Sequence, residues 1–468
     1  MIKGINDFNN VFFIGIAGTG MSAIAQYLAG IGKNVSGSDR YFKPGEENDT
    51  RNKLQKMSIS CFLQDGEGIT NATDLVVVST AVEDTVAEVQ KAKSLGIPIL
   101  KRSELLALIA ESKRTIAIGG TSGKSTTTAM LYDIMEAAGM KPSVISGAGL
   151  VSIIKTGRIG NAIVGDESQG AAGWLIIEAD ESDGSIVQYK PEVGLLLNVD
   201  KDHQEMNELL IIFSTFKYNT KKLFIVNQDN NTAAHLSQRI EQDFSTKEKS
   251  AAGYIAKDFK QEGLKISFTV KDQAFHLNTL GAHNMENALA AIAVANQLGV
   301  SMQTCAEALS RYEGIYRRHQ LLGIQNGIYV IDDYAHNPVK CAASIKACQP
   351  VAAKVIAWFQ PHGYGPTRFL KDDFIKEITE ALRPQDEIWM SEIFYAGGTA
   401  VKDISANDLI DGIRQAGKNA FFVEDRNDFF QSVRSHFTND AVLLLMGARD
   451  PGLEAFSNNT WKQVNEML

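Results

Sequence analysis

The 468-residue chain lacks several features that define particular classes of protein. Its four cysteines are scattered and form no close pairs, which argues against a zinc site or a disulfide framework. No run of 18 apolar residues occurs, and the first ten residues do not form a basic segment followed by an apolar stretch. The sequence therefore predicts no membrane-spanning helix and no secretory signal, and we expect a cytoplasmic protein.

An excess of positive charge is also absent. The formal net charge is −9, which argues against a general binder of nucleic acids or anionic membranes. It leaves nucleotide ligands open, because local backbone N–H groups and a few cations bind phosphates. The length predicts about three domains, since one domain takes roughly 150 residues.

Apolar runs of strand length alternate with longer helical patterns along the whole chain. This alternation is typical of βαβ units and predicts an α/β fold with parallel sheets. Three blocks can be separated at polar segments near residues 111–114 and 311–318. We therefore predict domains over residues 1–112, 113–314 and 315–468.

A first glycine-rich turn follows the apolar run at residues 11–14 and precedes a helical pattern. Gly18, Gly20 and Ala23 fit the GxGxxG/A spacing, and Asp39 ends the next predicted strand. The free N–H groups of a helix N-terminus bind a pyrophosphate, and the glycines allow the backbone to approach it. The residues predict a diphosphate site, but they do not distinguish NAD from another nucleotide diphosphate.

A second turn, between an apolar strand and a helical pattern, has the composition of a phosphate-binding loop. Its spacing is one residue tighter than the usual GxxxxGK[ST] pattern. Lys124 is expected to reach the β- and γ-phosphates of ATP, and the Ser125 hydroxyl to bind Mg²⁺. The predicted ATP-binding residues of this loop are Gly120, Thr121, Ser122, Gly123, Lys124, Ser125 and Thr126.

Acidic residues follow the strand predicted at residues 174–180. Glu178, Asp180, Glu181 and Asp183 would repel one another unless a cation were present, although an exposed acidic turn is the alternative. His203 lies beyond the next predicted strand, where it is a candidate metal ligand beside the phosphate loop. Ser125, one or more of these carboxylates and His203 are therefore candidate metal ligands.

Five motifs together resemble the Mur ligases of peptidoglycan synthesis, and they keep the order of that family over nearly the whole chain. They are closest to its alanine-adding branch. The resemblance implies an N-terminal Rossmann-like domain that binds UDP, a central P-loop ATPase-like domain and a C-terminal Rossmann-like domain that binds the amino acid. The motifs are GTSGKSTTT (120–128), EADESD (178–183), the pair Asp202 and His203, HNMENALAA (283–291) and DDYAHNP (332–338).

The resemblance also implies roles for individual residues. It assigns catalysis to Lys124, Glu178, His203 and His336, and metal binding to Ser125, Glu178 and His203. Further ATP contacts would come from Asn284, Asn287, Arg318 and Asp333. The UDP-sugar would contact Gly15, Gly18, Thr19, Gly20, Met21, Ser22, Asp39, Ser79 and Thr80. The amino-acid substrate would contact Tyr334, His336, His362 and Arg368.

The chemistry implied by this resemblance is the formation of an amide bond through an acyl phosphate. The implied substrates are UDP-N-acetylmuramate, ATP and L-alanine or a related amine, with two Mg²⁺ ions, for which Mn²⁺ can substitute. His336 is the candidate base for the amine. We expect a monomer or homodimer that binds neither nucleic acid nor membrane.

Several positions depart from the alanine-adding pattern. Ser122 replaces a histidine and Ser125 a threonine of the phosphate loop. FQPHGYGPTRF (359–369) has Gly363 and Pro366 where that pattern has two arginines, and Arg368 is displaced by two residues. An arginine fork is the usual grip on an α-carboxylate, so a recycling ligase that adds a peptide is an alternative. An NAD(P)-dependent oxidoreductase and an inactive nucleotide-binding paralogue are the others.

Overall fold

The computed structural model describes residues 2–79, 82–182, 184–200, 206–395 and 401–467. The chain divides into two compact units. The first comprises Met1–Asp258, Phe268–Phe275 and Glu286–Ile315, and the second comprises Phe259–Ser267, His276–Met285 and Tyr316–Leu468. The domain boundary predicted at residues 112–113 lies inside the first unit, and the three domain ranges stay predictions.

The first unit begins with a parallel sheet in the order β3-β2-β1-β4-β5. The strand order reverses between β1 and β4, the place where parallel α/β sheets commonly bind ligands. The elements are β1 (Asn10–Ile14), α1 (Thr19–Gly30), β2 (Asn34–Ser38), α2 (Asp49–Lys56), β3 (Ser60–Phe62), β4 (Leu75–Val78), α3 (Ala87–Ser94), β5 (Ile99–Lys101) and α4 (Arg102–Glu111).

A second sheet of the same unit has the order β11-β10-β6-β9-β7-β8, and only β8 pairs antiparallel among its described pairings. Its central strand, β6, is apolar because parallel strands are covered on both faces. The elements are β6 (Arg114–Gly119), α5 (Lys124–Ala137), β7 (Ser143–Ile145), α6 (Val151–Ile154), β8 (Ala162–Ile163), β9 (Trp174–Ala179), β10 (Val193–Leu196), α7 (Met206–Asn219), β11 (Leu223–Val226) and α8 (Asn231–Ala234).

Two small sheets and two helices follow. One sheet has two strands, and the other has three in the order β14-β15-β16. The elements are β12 (Phe244–Ser245), β13 (Tyr254–Ile255), β14 (Lys257–Glu262), β15 (Lys265–Val270), β16 (Gln273–Leu277), α9 (Ala282–Gln297) and α10 (Met302–Ser310).

The second unit contains a sheet in the order β17-β18-β22-β19-β20-β21, with only β17 antiparallel to its neighbour. Helix α11 begins at Pro338, and the Asn337 side chain caps it by accepting from the Lys340 N–H. The elements are β17 (Gln320–Gln325), β18 (Ile328–Asp333), α11 (Pro338–Cys348), β19 (Lys354–Gln360), α12 (Tyr364–Phe369), α13 (Lys371–Ala381), β20 (Glu387–Met390), α14 (Ala406–Gln415), β21 (Asn419–Phe422), α15 (Phe429–Val433), β22 (Ala441–Gly447) and α16 (Leu453–Asn465).

These sheets confirm the α/β fold class. The apolar runs at residues 11–14, 116–118 and 328–331 lie in β1, β6 and β18, one strand in each of the three large sheets. The exposed strand β14 and the antiparallel strand β17 were not predicted, because their apolar patterns are weak. Among the described residues, no helix combines the length and apolarity needed to cross a membrane.

Candidate active site

The phosphate loop lies between the end of β6 and the start of α5. Gly120 and Gly123 have φ values of +137° and +87°, which favour glycine. A Cβ on Gly123 would lie 2.4 Å from Asn287 Oδ1, so the loop also requires a residue without a side chain there. The positive end of the α5 dipole faces this loop, as an anion-binding loop requires.

Asn198 holds the loop from the end of the neighbouring strand, β10. Its Oδ1 accepts hydrogen bonds from Thr121 Oγ1 and Ser122 N, both at 2.8 Å. Its Nδ2 donates to Ser122 O at 3.2 Å. Asn198 is not among the residues predicted from the sequence, where its position shortly after a buried strand could have indicated it.

Lys124 is held by two carboxylates and a backbone carbonyl. Its Nζ lies 2.6 Å from Glu181 Oε2, 2.6 Å from Gly120 O and 3.8 Å from Asp180 Oδ1. Burial alone would lower the pKa of Lys124, but Glu181 and Asp180 outweigh it and the pKa is raised. The phosphate loop therefore carries a charged ammonium that anionic ligands can share.

Glu178, near the end of β9, reaches the first turn of α5. Its Oε2 accepts from Ser125 Oγ at 2.9 Å, while its Oε1 accepts from Ser146 Oγ and Gly147 N, both at 2.6 Å. A carboxylate and a hydroxyl are hard oxygen donors and fit Mg²⁺, which takes one or two protein carboxylates together with phosphate and water. No cluster of three His, Cys, Asp or Glu side chains suited to a metal occurs within the described ranges.

Some predicted site residues cannot be placed. Thr80, Asp183, Asp202 and His203 lie outside the described residues. Their assigned contacts with the UDP-sugar or the metal stay predictions.

The first glycine-rich turn follows β1, and Gly15 adopts a φ of +81° there. Asp39 is buried, and its carboxylate accepts from Ala17 N at 2.9 Å and from Tyr41 N at 3.0 Å. In this structure Asp39 therefore holds the turn itself, and its contact with uridine stays a prediction. Helix α1 then begins at Thr19, so Gly20, Met21 and Ser22 form its first turn.

Two other residues approach the first turn. Ser79 directly follows β4, which pairs parallel with β1. Ser79 and the first turn therefore both lie at the carboxyl ends of these neighbouring strands. Arg102, the first residue of α4, lies so close that a Cβ on Gly20 would be 3.1 Å from its Nη1. Arg102, which is not among the residues predicted from the sequence, adds a cation beside the predicted diphosphate site.

The two asparagines of α9 fall in different units. Asn287 belongs to the first unit, where its Oδ1 accepts from Thr127 Oγ1 at 3.4 Å beside the phosphate loop. Asn284 belongs to the second unit, where its Nδ2 donates to Thr279 Oγ1 at 2.9 Å and Leu280 O at 2.8 Å. The predicted adenine contact is therefore supported by proximity to the loop only for Asn287.

In the second unit, Asp333 ends β18 and is buried. Its oxygens accept from Tyr334 N at 2.9 Å, His319 N at 3.3 Å and Ser344 Oγ at 2.7 Å. Arg318 lies over the Tyr334 ring, 5.1 Å from its centroid. The carboxylate thus fixes the backbone beside Arg318, and its own contact with nucleotide stays a prediction.

Three rings form a row after β18 and β19. His336 lies 5.7 Å from Tyr334 and 5.8 Å from His362, measured between ring centroids. Burial, with Lys340 adding to it, lowers the pKa of His336 to about 3. The imidazole is therefore neutral at physiological pH, and its Nδ1 lies 2.9 Å from Tyr334 O.

Arg368, on α12, pairs with Asp403 and donates to Val401 O at 3.1 Å. Its side chain is half exposed. A substrate carboxylate would have to compete with Asp403 for this guanidinium.

Comparison with known proteins identifies the chain's relatives. Residues 10–114 match the Mur ligase family catalytic domain, residues 118–295 the Mur ligase middle domain, and residues 317–449 the Mur ligase glutamate ligase domain.

Two relatives are named UDP-N-acetylmuramate–L-alanine ligase. The one from Geobacter sp. (strain M21) is 32% identical over 98% of this chain and 96% of its own, and the one from Dictyoglomus turgidum is 33% identical over the same shares. The crystal structure of UDP-N-acetylmuramate-alanine ligase from Thermotoga maritima matches with a TM-score of 0.78 and 26% identity, covering 97% of this chain and 98% of that one. With matches along all three segments and full-length relatives above 30% identity, the chain belongs to the Mur ligase family.

Proposed function

We propose that the chain is an ATP-dependent ligase that joins the lactyl carboxylate of UDP-N-acetylmuramate to an amine, with L-alanine as the leading candidate. One observation carries this proposal: Lys124, Ser125 and Glu178 converge at the N-terminus of α5, with Ser125 Oγ 2.9 Å from Glu178 Oε2. The names of the full-length relatives supply the substrate pair.

Phosphoryl transfer to the carboxylate makes phosphate the leaving group and yields an acyl phosphate with ADP. This step depends on positioning and on charge neutralisation. The loop N–H groups and the Lys124 ammonium hold the phosphates, and Lys124 exchanges its bond to Glu181 for a phosphate oxygen. Ser125 and Glu178 would hold a divalent cation, which when bound would supply positive charge against the triphosphate.

The amine then attacks the acyl carbon and displaces inorganic phosphate. The attacking nitrogen must be unprotonated and lose a further proton as the amide forms. His336, being neutral, can orient the amine by a hydrogen bond. Its low pKa makes it a weak proton acceptor, so we assign it the role of orienting the amine. The proton that the ammonium loses before attack and the proton lost as the amide forms both pass to solvent water.

The Mur ligase family is ATP-dependent, which implies ATP and a divalent metal. Beyond this, we propose two Mg²⁺ ions, with Mn²⁺ as a substitute, and a cytoplasmic monomer or homodimer. No ligand other than small molecules is needed for this chemistry.

A panel of ADP-release assays tests the proposal. The protein is given UDP-N-acetylmuramate, ATP and Mg²⁺, with L-alanine, glycine, L-serine or a cell-wall tripeptide as the amine. Release with L-alanine above all others is the expected result. Tight ATP binding without release in any arm would contradict the proposal and favour an inactive paralogue.

The surroundings of Arg368 favour one second candidate, a recycling ligase that adds a peptide. Gly363 and Pro366 provide no guanidinium near His362, and Arg368 is already paired with Asp403. A peptide carries its carboxylate farther from the reacting amine, so it needs no cation at this point. ADP release with the tripeptide alone would establish this alternative.

A further inference from the structure

A buried series of hydrogen bonds joins the first glycine-rich turn to Glu178. It begins at Asn161, which directly precedes β8 and is fully buried. Asn161 Nδ2 donates to Thr19 O at 2.7 Å and to Ser22 Oγ at 3.0 Å. Asn161 thereby contacts the first turn of α1, where the diphosphate is expected to bind.

The series continues through Ser146 to the metal-binding carboxylate. Ser146 N donates to Asn161 O at 2.9 Å, and Ser146 Oγ donates to Glu178 Oε1 at 2.6 Å. Ser146 and the Gly147 N–H together hold Oε1, which leaves Oε2 directed at Ser125 Oγ. Ser146 is thus placed to fix which carboxylate oxygen faces a cation.

Gln26 determines how the Asn161 amide is oriented. Its Nε2 donates to Asn161 Oδ1 at 2.6 Å and to Ser22 O at 3.0 Å, and both side chains are buried. A reversed Asn161 amide would set an oxygen against Thr19 O and an NH₂ against the Gln26 donor. The amide therefore has one orientation, with its donors toward the turn.

We propose that Asn161 and Ser146 are positioning residues that couple the UDP-sugar turn to the metal carboxylate. The inference rests on the proposed function for the identity of the two ligands. A ligand that orders the first turn of α1 fixes the position of Asn161. Because Ser146 N donates to Asn161 O and Ser146 Oγ donates to Glu178 Oε1, the positions of Ser146 and Glu178 are fixed in turn. Neither side chain touches the reacting atoms.

Ser146→Ala tests the metal end of the series. Loss of a hydrogen bond to a carboxylate that would hold the metal is expected to weaken Mg²⁺-dependent binding of ADP, measured by calorimetry, by about tenfold. The Mg²⁺ concentration for half-maximal ADP release should rise by about the same factor. The KM for UDP-N-acetylmuramate should change much less, and Ser146→Thr, which keeps the hydroxyl, should restore the Mg²⁺ requirement. Ser143→Ala is the matched control, because Ser143 lies on β7, three residues before Ser146, and has a buried hydroxyl that accepts from Gly165 N.

Asn161→Asp tests the turn and the coupling together. The variant keeps the shape of the side chain but loses both donors to the turn, so the KM for UDP-N-acetylmuramate should rise by about tenfold or more. If the sites are coupled, the half-maximal Mg²⁺ concentration should also rise, by about threefold. Asn296→Asp, which removes a donor to Val300 O elsewhere in the first unit, should alter neither value.

Gln26→Met is a second variant in case Asn161→Asp does not fold. It removes the donor that orients Asn161 and should shift both constants in the same direction by smaller factors. A Ser146→Ala enzyme that behaves like Ser143→Ala, or an Asn161 variant with an unchanged Mg²⁺ requirement, would overturn the coupling. Activity of the wild-type protein tests the proposed function separately, so the two failures are distinguishable.

Discussion

The phosphate loop after β6 and the loop after β19 both follow buried parallel strands, but their polar groups are arranged differently. At the first, Lys124 pairs with Glu181, its neighbour Ser125 donates to Glu178, and these residues match the Mur ligase motifs. At the second, Gly363 has a φ of +73° where the alanine-adding pattern has arginine, and Arg368 is paired with Asp403. The comparison indicates that the groups expected to activate the carboxylate keep the family pattern, whereas the groups expected to bind the amine are arranged differently.

The largest expected effect is at the phosphate loop. Lys124→Ala removes the ammonium that neutralises the transferring phosphate, so kcat for ADP release should fall by about a thousandfold. Lys113→Ala is the matched control, because Lys113 is also a buried lysine paired with a carboxylate, Glu167 at 2.8 Å. An unchanged kcat in the Lys124→Ala variant would contradict the role of the phosphate loop in phosphoryl transfer. The functional contrast between this loop and the loop after β19 would then be lost.

A smaller effect is expected at the second loop. Asp403→Asn should free Arg368 to bind a carboxylate and lower the KM for L-alanine by about threefold, whereas Arg368→Gln should raise it by about tenfold. The KM for ATP should not change in either variant. Asp411→Asn is the control, because Asp411 forms a similarly exposed pair with Arg414 at 3.0 Å.

If Asp403→Asn, Arg368→Gln and Asp411→Asn all keep the wild-type KM for L-alanine, Arg368 does not contact the amine substrate. The pairing with Asp403 would then be structural only. A response to the tripeptide but not to L-alanine would instead move the specificity assignment to the recycling reaction.

The two loops also differ in how well the sequence predicted them. The phosphate loop could be predicted because Gly120, Gly123 and Lys124 stand at fixed spacing beside an apolar strand. Asn198, Ser146 and Asn161 could not, since they are distant in sequence from the residues they hold, and isolated asparagines and serines usually occupy turns or surfaces. The pairing of Arg368 with Asp403 could not be predicted from the sequence either, because only the fold brings α12 close to residue 403.

The segment after β18 differs from the phosphate loop in charge state, and His336 offers the smallest test of this difference. Its pKa of about 3 in the folded protein lies below the ordinary value of 6.5, so the folded state resists protonation. As the pH falls from about 6.5 to about 3, the unfolded chain binds a proton at His336 while the folded chain does not. The free energy of unfolding therefore falls over this pH range. The wild-type free energy of unfolding in urea should therefore fall by about 1 kcal/mol more between pH 5.5 and 4.5 than that of His336→Gln. The same substitution at the exposed His235 is the control, and equal pH slopes for wild type and His336→Gln would mean that the imidazole is charged like Lys124.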